Sequence, residues 1–200
     1  MIVIDLETTG LEPERNSILS LGAVDFFNPN NQFYGECAVQ EGKEIDHVAL
    51  HINGFTLPEI VSKEKGVQEL VNEFIQWSKQ VKDNMIGGYY THFDRSFILE
   101  AVKEYRLEWP FGIHIVDVHG LFYSHLLKTD ELKPGYRTEY SLDHILVYLG
   151  LPKEPFPHNA LTGAKVTAEA ISRLVLGKNL LKEFEKYPIR YLDDIYSTKN

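Results

Sequence analysis

This sequence of 200 residues has only one cysteine, and it lacks long apolar segments and an excess of basic residues. The single cysteine, Cys37, excludes an internal disulfide framework and a zinc site built from several cysteines. Because nothing points to an oxidising compartment, we expect a cytoplasmic protein. The longest apolar run near the N-terminus, residues 18–24, is interrupted by Ser20 and is too short for a membrane span. We therefore expect no membrane partner.

Positive charge is scarce as well. Lysine and arginine number 20 against 29 aspartate and glutamate residues, which gives a formal net charge of −9. A protein that holds nucleic acid by bulk electrostatics needs clustered Lys and Arg, so the charge balance argues against that class. A nuclease is still compatible with it, because an enzyme that contacts phosphates through divalent cations must itself supply carboxylates.

The remaining composition is that of a packed globular protein. With 44% hydrophobic, 12% aromatic and 24% charged residues, the chain is neither disordered, collagenous nor a coiled coil. A chain of this length can bury about 70% of its unfolded surface, so it needs no disulfide bonds or bound metals to fold. We expect one domain over residues 1–176, with residues 177–200 as a C-terminal helix and tail of the same domain.

The first forty residues have the pattern of β-strands. Three extended segments, residues 2–6, 18–26 and 33–39, are separated by clusters of turn-forming residues at 10–13 and 28–31. This spacing predicts three strands in a meander.

Later segments change to the apolar period of helices and short buried strands. Three strands followed by alternating helices and strands predict an α/β fold, a mixed sheet with helices packed on it. The expected helices begin near Val67, at Asp94 as N-cap, at Ser141 and near Leu161, the last two ending at Gly150 and Gly177, and the expected strands cover residues 85–90 and 113–118.

Two acidic residues near the N-terminus are the first candidates for chemistry. On a strand, side chains alternate with a period of two, so Val3, Asp5 and Glu7 share one face. Neighbouring carboxylates repel each other unless a cation lies between them, and such oxygen ligands suit Mg²⁺ or Mn²⁺. The alternative is a strand that ends in solvent with two exposed acids.

The complete segment around these acids is much more specific than the pair alone. Residues 5–10, Asp-Leu-Glu-Thr-Thr-Gly, resemble the first motif of the DEDDh 3′-to-5′ exonucleases, which include polymerase proofreading domains, ribonuclease T and oligoribonuclease. Residues 93–98 resemble the second motif of that family, and residues 157–164 resemble the third. Segments 49–56 and 140–151 are similar as well, and the order and spacing hold over most of the chain.

The resemblance implies a ribonuclease H-like fold and an enzyme that releases nucleoside monophosphates from the 3′ end of a nucleic acid. It implies two Mg²⁺ or Mn²⁺ ions, held by Asp5, Glu7, Asp94 and a fourth Asp. His158 matches the general base, because an imidazole titrates near about pH 6.5 and can accept a proton from water at neutral pH. By the same resemblance, the terminal nucleotides contact Thr8, Thr9, Gly10, Leu11 and Phe93. Taken singly, His158 is an ordinary loop histidine and Asp94 a helix N-cap.

The fourth acid of the family is absent from its expected position. It stands five residues after the histidine, where this sequence has Gly163. Losing this ligand weakens the second ion's site, since even indirect partners of a metal typically contribute about 10 to 100-fold in affinity or activity. Three explanations stay open: a naturally weakened protein, an engineered inactivation, or another acid that reaches the site. Glu154 and Asp143 are near in sequence, but the sequence places neither of them at the metals.

A second departure precedes the second motif. Tyr90 stands where the family often has Asn, and Tyr89 replaces the preceding His. The two rings either pack in the core or stack on a nucleobase.

The expected partner is a single-stranded or frayed 3′ end of a nucleic acid, with a polymerase subunit as a further candidate. The choice between DNA and RNA depends on contacts to a 2′-hydroxyl that no motif identifies. The rival hypothesis is a catalytically degenerate exonuclease fold that binds nucleic acid or a protein, and Gly163 is its support.

Overall fold

A computed structural model describes residues 1–132 and 140–189 of the chain. Its centre is a five-stranded sheet in the order β3-β2-β1-β4-β5. Strands β1, β2 and β3 pair antiparallel, whereas β4 and β5 continue the sheet parallel to β1. The predicted α/β fold, a meander of three strands followed by two more, is confirmed. The strands are β1 Ile2–Thr8, β2 Ile18–Asp25, β3 Gln32–Glu36, β4 Ile86–Gly88 and β5 Ile115–Asp117.

Helices cover both faces of this sheet. None of those in the described ranges has the length and apolar character that crossing a bilayer requires. They are α1 His47–Asn53, α2 Leu57–Ser62, α3 Val67–Ser78, α4 Thr91–Glu104, α5 Val118–Lys128, α6 Leu142–Tyr148 and α7 Ala160–Leu176, followed by a 3₁₀ helix at Lys182–Phe184.

The predicted helix ends are mostly confirmed. The Ser141 hydroxyl accepts a hydrogen bond from the backbone N–H of His144 at 3.3 Å, as an N-cap does. Gly177 ends α7 in the left-handed conformation, with φ of 63°. The prediction that Asp94 is an N-cap is wrong, because Asp94 lies inside the first turn of α4 and Tyr90 occupies the cap position. The carboxylate of Asp94 is thereby free to face the sheet.

Helix α5 was not expected from the sequence. It begins directly after β5, because the Asp117 carboxylate accepts a hydrogen bond from the backbone N–H of His119 at 2.9 Å and caps the helix. The strand expected over 113–118 is therefore shorter than predicted. Val118, Phe122 and Leu126 are buried at four-residue spacing along α5.

The side chains of β1 alternate between the two faces of the sheet, as the two-residue period predicts. Ile2, Ile4 and Leu6 pack in a core with α3 and α4. Val3 packs in a second core with α5, α6 and α7. Asp5 and Glu7 share the face of Val3 and therefore point toward the layer that contains α7.

The first turn of α7 lies unusually close to the sheet. A Cβ atom at Gly22 of β2 would be 2.2 Å from the carbonyl carbon of Ala160, so only glycine allows this approach. Gly22 is also the partner of Asp5 in the sheet register. The start of α7 is therefore placed directly over Asp5.

The chain after α7 folds back against that helix. The side chain of Arg173, which is fully buried, donates to the backbone oxygen of Tyr187 at 2.8 Å. Within the C-terminal helix and tail expected over 177–200, residues 190–200 lie outside the described residues.

Candidate active site

Three predicted metal ligands come together from two elements. Asp5 and Glu7 project from β1, and Asp94 projects from the first turn of α4. The backbone N–H of Leu6 donates to Oδ1 of Asp94 at 2.9 Å, which ties the helix to the strand between the two β1 acids. Asp94 is 3% exposed and Glu7 is 8% exposed, so both carboxylates are shielded from water. The structure thus brings these acids together in a buried position, and the alternative of a strand that ends in solvent with two exposed acids does not hold.

Burial and like charge shift the titration of this group. Burial raises the pKa of Asp5 well above its ordinary value, and the charges of Asp94, Glu7 and Glu154 raise it further. Burial raises the pKa of Glu7 to about 8, with an added contribution from Glu154. The pKa of Asp94 is also raised, chiefly by burial. Negative charge in this pocket is therefore unfavourable unless a cation compensates for it.

The donor set suits a divalent cation in its chemistry. Among the described residues, no Lys or Arg forms an ion pair with Asp5, Glu7 or Asp94. Buried charges require a partner of opposite sign or a metal, and carboxylate oxygens are ligands for Mg²⁺ and Mn²⁺. Within the same ranges, no group of three or more His, Cys, Asp and Glu side chains is arranged so that it could hold a metal ion.

His158 approaches the acids from the loop before α7. Its backbone N–H donates to the carbonyl oxygen of Ile52 at 2.9 Å, which ties this loop to α1. Asn159 then caps α7, accepting from the backbone N–H of Leu161 at 3.1 Å. The imidazole is 38% exposed, and its Nδ1 lies 3.8 Å from Oε2 of Glu154. The ring is thus held near the acids while keeping access to water.

An open cleft leads to Glu7 and His158. Its volume is about 300 Å³, and Glu7, Tyr34, Asn53, His158 and Asn159 are among the residues that line it. A ligand in this cleft can reach a carboxylate and an imidazole together.

The end of β1 and the loop after it contain four predicted substrate contacts, which differ in exposure and hydrogen bonding. The Thr8 hydroxyl donates to the carbonyl oxygen of Gly10 at 2.6 Å. The Thr9 side chain is fully buried and donates to the carbonyl oxygen of Glu44 at 2.7 Å, so it is not available to a ligand. Leu11, by contrast, is 78% exposed at the loop tip.

The aromatic residues before and within α4 also differ in their exposure to solvent. Tyr89 donates its hydroxyl to the carbonyl oxygen of Tyr140 at 2.7 Å and packs against a core. Tyr90 is exposed, with its ring 4.0 Å from that of His92. Phe93 packs partly into the core beneath α4. Tyr90 and Phe93 therefore form a small aromatic surface beside Asp94.

Two residues of this region were not assigned by the sequence. The Asn53 side-chain amide, buried at the end of α1, donates to the carbonyl oxygen of Thr8 at 3.1 Å and supports the end of β1. Glu154, which the sequence could not place, lies beside Gly163 and His158. A buried polar residue at a helix end is the only signal for Asn53, and Glu154 lies in a loop that has no periodic pattern.

Comparisons with known proteins agree with this geometry. Residues 2–171 match the exonuclease family RNase_T. The PolC-type DNA polymerase III of Thermotoga maritima is 30% identical over 194 residues, which cover 92% of this chain and 13% of the polymerase. The epsilon subunit of DNA polymerase III from Aquifex aeolicus is 27% identical over 178 residues, which cover 87% of this chain and 79% of the subunit.

The fold is also found among solved structures. The nuclease domain of 3′hExo, a DEDDh family member bound to rAMP, matches with a TM-score of 0.69 at 17% identity, over 90% of this chain and 94% of that chain. This likeness shows the ribonuclease H-like exonuclease fold, with its mixed five-stranded sheet flanked by helices. The chain spans only 13% of the length of the PolC-type relative. The family match over residues 2–171 means that this chain belongs to the RNase T family of exonucleases, which includes the DEDDh 3′-to-5′ enzymes.

Proposed function

We propose that this chain hydrolyses phosphodiester bonds from the 3′ end of a nucleic acid and releases nucleoside monophosphates, using Mg²⁺ or Mn²⁺. Two observations support the proposal: Asp94 is joined to β1 between Asp5 and Glu7, and Glu7 and His158 line one open cleft. Exonucleases of this family are phosphodiester hydrolases, and the DEDDh enzymes are typically metal-dependent.

Each residue has a role in this proposal. Asp5, Glu7 and Asp94 hold the cations, which, when bound, supply positive charge to offset the negative charge that develops on the phosphate. His158 accepts the proton of the attacking water through its solvent-accessible ring. The backbone of the loop after β1 faces the terminal nucleotide, and the exposed Leu11 contacts its base.

Gly163 is the distinctive feature of the site. We propose that it occupies the position of the family's fourth acid, five residues after His158. Three of the family's four carboxylates are then present. The resulting activity is below that of a complete site, unless another acid takes over the missing role.

The substrate proposed is a single-stranded or frayed DNA 3′ end, because similar proteins include DNA polymerase III chains and a 3′-5′ DNA exonuclease. The same similarity supports a polymerase subunit as a partner. A cytoplasmic location stays a prediction from the sequence.

A cleavage assay tests the function. A single-stranded DNA and an RNA of the same sequence, each with a 5′ label, are incubated with the full chain and Mn²⁺, and we expect products that shorten by one nucleotide at a time. His158→Ala should slow cleavage by about 10² to 10⁴-fold, the usual contribution of a general base. Asp5→Asn should abolish it, whereas the exposed Glu64→Gln should not change it. Cleavage that persists in Asp5→Asn would contradict the proposal.

The second candidate function is binding without cleavage, which the glycine at position 163 favours. It is measured on the same oligonucleotides by fluorescence anisotropy. Tight binding with no shortening at any Mn²⁺ concentration would support this candidate over the enzyme.

A further inference from the structure

The space beside Gly163 is already filled by carboxylates. A Cβ atom added at Gly163 would lie 2.2 Å from Oδ2 of Asp5 and 3.0 Å from Oε1 of Glu154. Two acidic side chains from distant parts of the chain therefore meet at the point where a side chain of residue 163 would begin. The close approach of α7 to the sheet, which Gly22 permits, brings Gly163 next to Asp5. A side chain at residue 163 would therefore require the carboxylate of Asp5 to move.

The loop between α6 and α7 holds Glu154 in this place. The backbone N–H of Glu154 donates to Oδ1 of Asp143 at 3.1 Å, and Lys153 lies 3.6 Å from the other oxygen of Asp143. Asp143 belongs to the first turn of α6, so the loop is tied to a helix on one side. On the other side it is tied to α1 through the backbone of His158. The position of Glu154 is therefore fixed by contacts of its loop with α6 and α1.

The side chain of Glu154 points inward, although a glutamate in a loop would ordinarily extend into water. It is 11% exposed. One oxygen lies beside Asp5 and Gly163, and the other lies 3.8 Å from Nδ1 of His158, which is longer than a hydrogen bond. Glu154 therefore has the neighbours that an acid at position 163 would have, a β1 aspartate and the histidine.

A second observation indicates that this group of acids is available to bind a ligand. Glu7 is 8% exposed, yet its side-chain carboxylate forms no hydrogen bond and no ion pair with the residues of the described ranges. It borders the cleft together with His158. Adding Glu154 to a pocket that already contains such a carboxylate is unfavourable for the metal-free fold, and it becomes favourable when a divalent cation binds.

We propose that Glu154 supplies the fourth carboxylate of the cation site, reaching it from the loop before α7 in place of a side chain at residue 163. This inference rests on the proposed metal-dependent function. It selects one of the explanations that the sequence left open, an acid that arrives from elsewhere, and it makes the site complete in carboxylates in spite of Gly163.

Mn²⁺ binding to the full chain, measured by isothermal titration calorimetry, tests the assignment without using activity. Glu154→Gln keeps the size of the side chain and removes its charge. We expect Mn²⁺ affinity to fall by at least about 10-fold at one site. The metal-free melting temperature should stay equal to that of the wild type or rise, because a buried negative charge is lost. Glu64→Gln is the matched control and should bind Mn²⁺ like the wild type, because Glu64 is exposed and does not line the cleft.

A larger truncation gives a second test. Glu154→Ala should lose Mn²⁺ affinity as Glu154→Gln does. Gly163→Asp should lower the metal-free melting temperature, since its Cβ conflicts with Oδ2 of Asp5. Glu154→Ala that binds Mn²⁺ as tightly as the wild type would overturn the proposal.

The other outcomes are distinguishable. If the wild type binds no Mn²⁺, the proposed metal-dependent function itself fails, and this inference fails with it. If the wild type and Glu154→Gln bind Mn²⁺ equally, only the role of Glu154 is overturned. Unchanged Mn²⁺ affinity with a shifted pH profile of cleavage would make Glu154 a positioning residue for His158 and would also overturn the ligand assignment.

Discussion

Replacing Arg173 by methionine should cost this protein a large part of its stability, because the guanidinium is the centre of a fully buried network. Its Nε donates to Oε1 of Glu169 at 2.9 Å, and neither side chain has any exposed surface. One Nη1 bond goes to the carbonyl oxygen of Leu149 at 2.8 Å, and one Nη2 bond goes to Asn179 at 2.8 Å. The network therefore joins α7 to the end of α6 and to the segment that follows α7.

The size of the effect follows from the charge that is left behind. Methionine fills much of the same volume, so the main loss is the cationic partner of Glu169. The buried carboxylate then keeps only its hydrogen bonds from the backbone N–H groups of Leu180 and Leu181. Breaking a buried ion pair in this way costs about 3 to 5 kcal/mol. For a chain of this length, that corresponds to a fall of roughly 6 to 20 °C in melting temperature. A protein stable by about 5 to 15 kcal/mol would be left marginal.

Urea unfolding, followed by far-ultraviolet circular dichroism, measures the change. Arg15→Met is the matched control, because Arg15 pairs with Glu44 at 2.7 Å on the exposed surface and its removal should have little effect. Removing both charges, as Arg173→Met with Glu169→Leu, should destabilise less than the sum of the single changes. If Arg173→Met lowers the free energy of unfolding no more than Arg15→Met, the reasoning is refuted.

Two further predictions concern the site and the packing of α7. Since the pKa of Glu7 is raised from 4.5 to about 8, the metal-free fold favours its protonated form. The stability that this group contributes in EDTA should be fully present below about pH 4.5 and be lost as the pH rises from there to about 8. Melting curves from pH 5 to 9 check this, and a slope that is unchanged in Glu7→Gln would contradict it. Gly22→Ala should destabilise by about 1 to 3 kcal/mol or more, because its Cβ meets the backbone of Ala160, whereas Gly120→Ala, exposed on α5, should stabilise by up to about 1 kcal/mol. Equal effects of the two substitutions in urea unfolding would show that the approach of α7 is not tight.

Short-range patterns predicted much of the fold. Strand faces and helix ends depend on neighbouring residues, so the cap at Ser141 and the stop at Gly177 were correctly predicted. Helices α1 and α2 contain seven and six residues and are too short to display a helical period. The strand predicted over residues 85–90 ends earlier, at Gly88, and Tyr90 instead precedes α4. The left-handed backbone of Tyr90, with φ of 54°, is a conformation that Asn adopts more readily than most residues, which gives a physical reason for the Asn often found there in the family.

By itself, the sequence determined the α/β class, the common face of Asp5 and Glu7, and the family motifs, because each of these depends on spacing along the chain. The tertiary structure alone decided that the Thr9 side chain is buried, that Asp94 faces β1, and that Glu154 lies beside Gly163. These results depend on how closely α7 approaches the sheet and on where a loop without periodicity is anchored. Such contacts join residues far apart in the chain, and no local pattern encodes the distance between them.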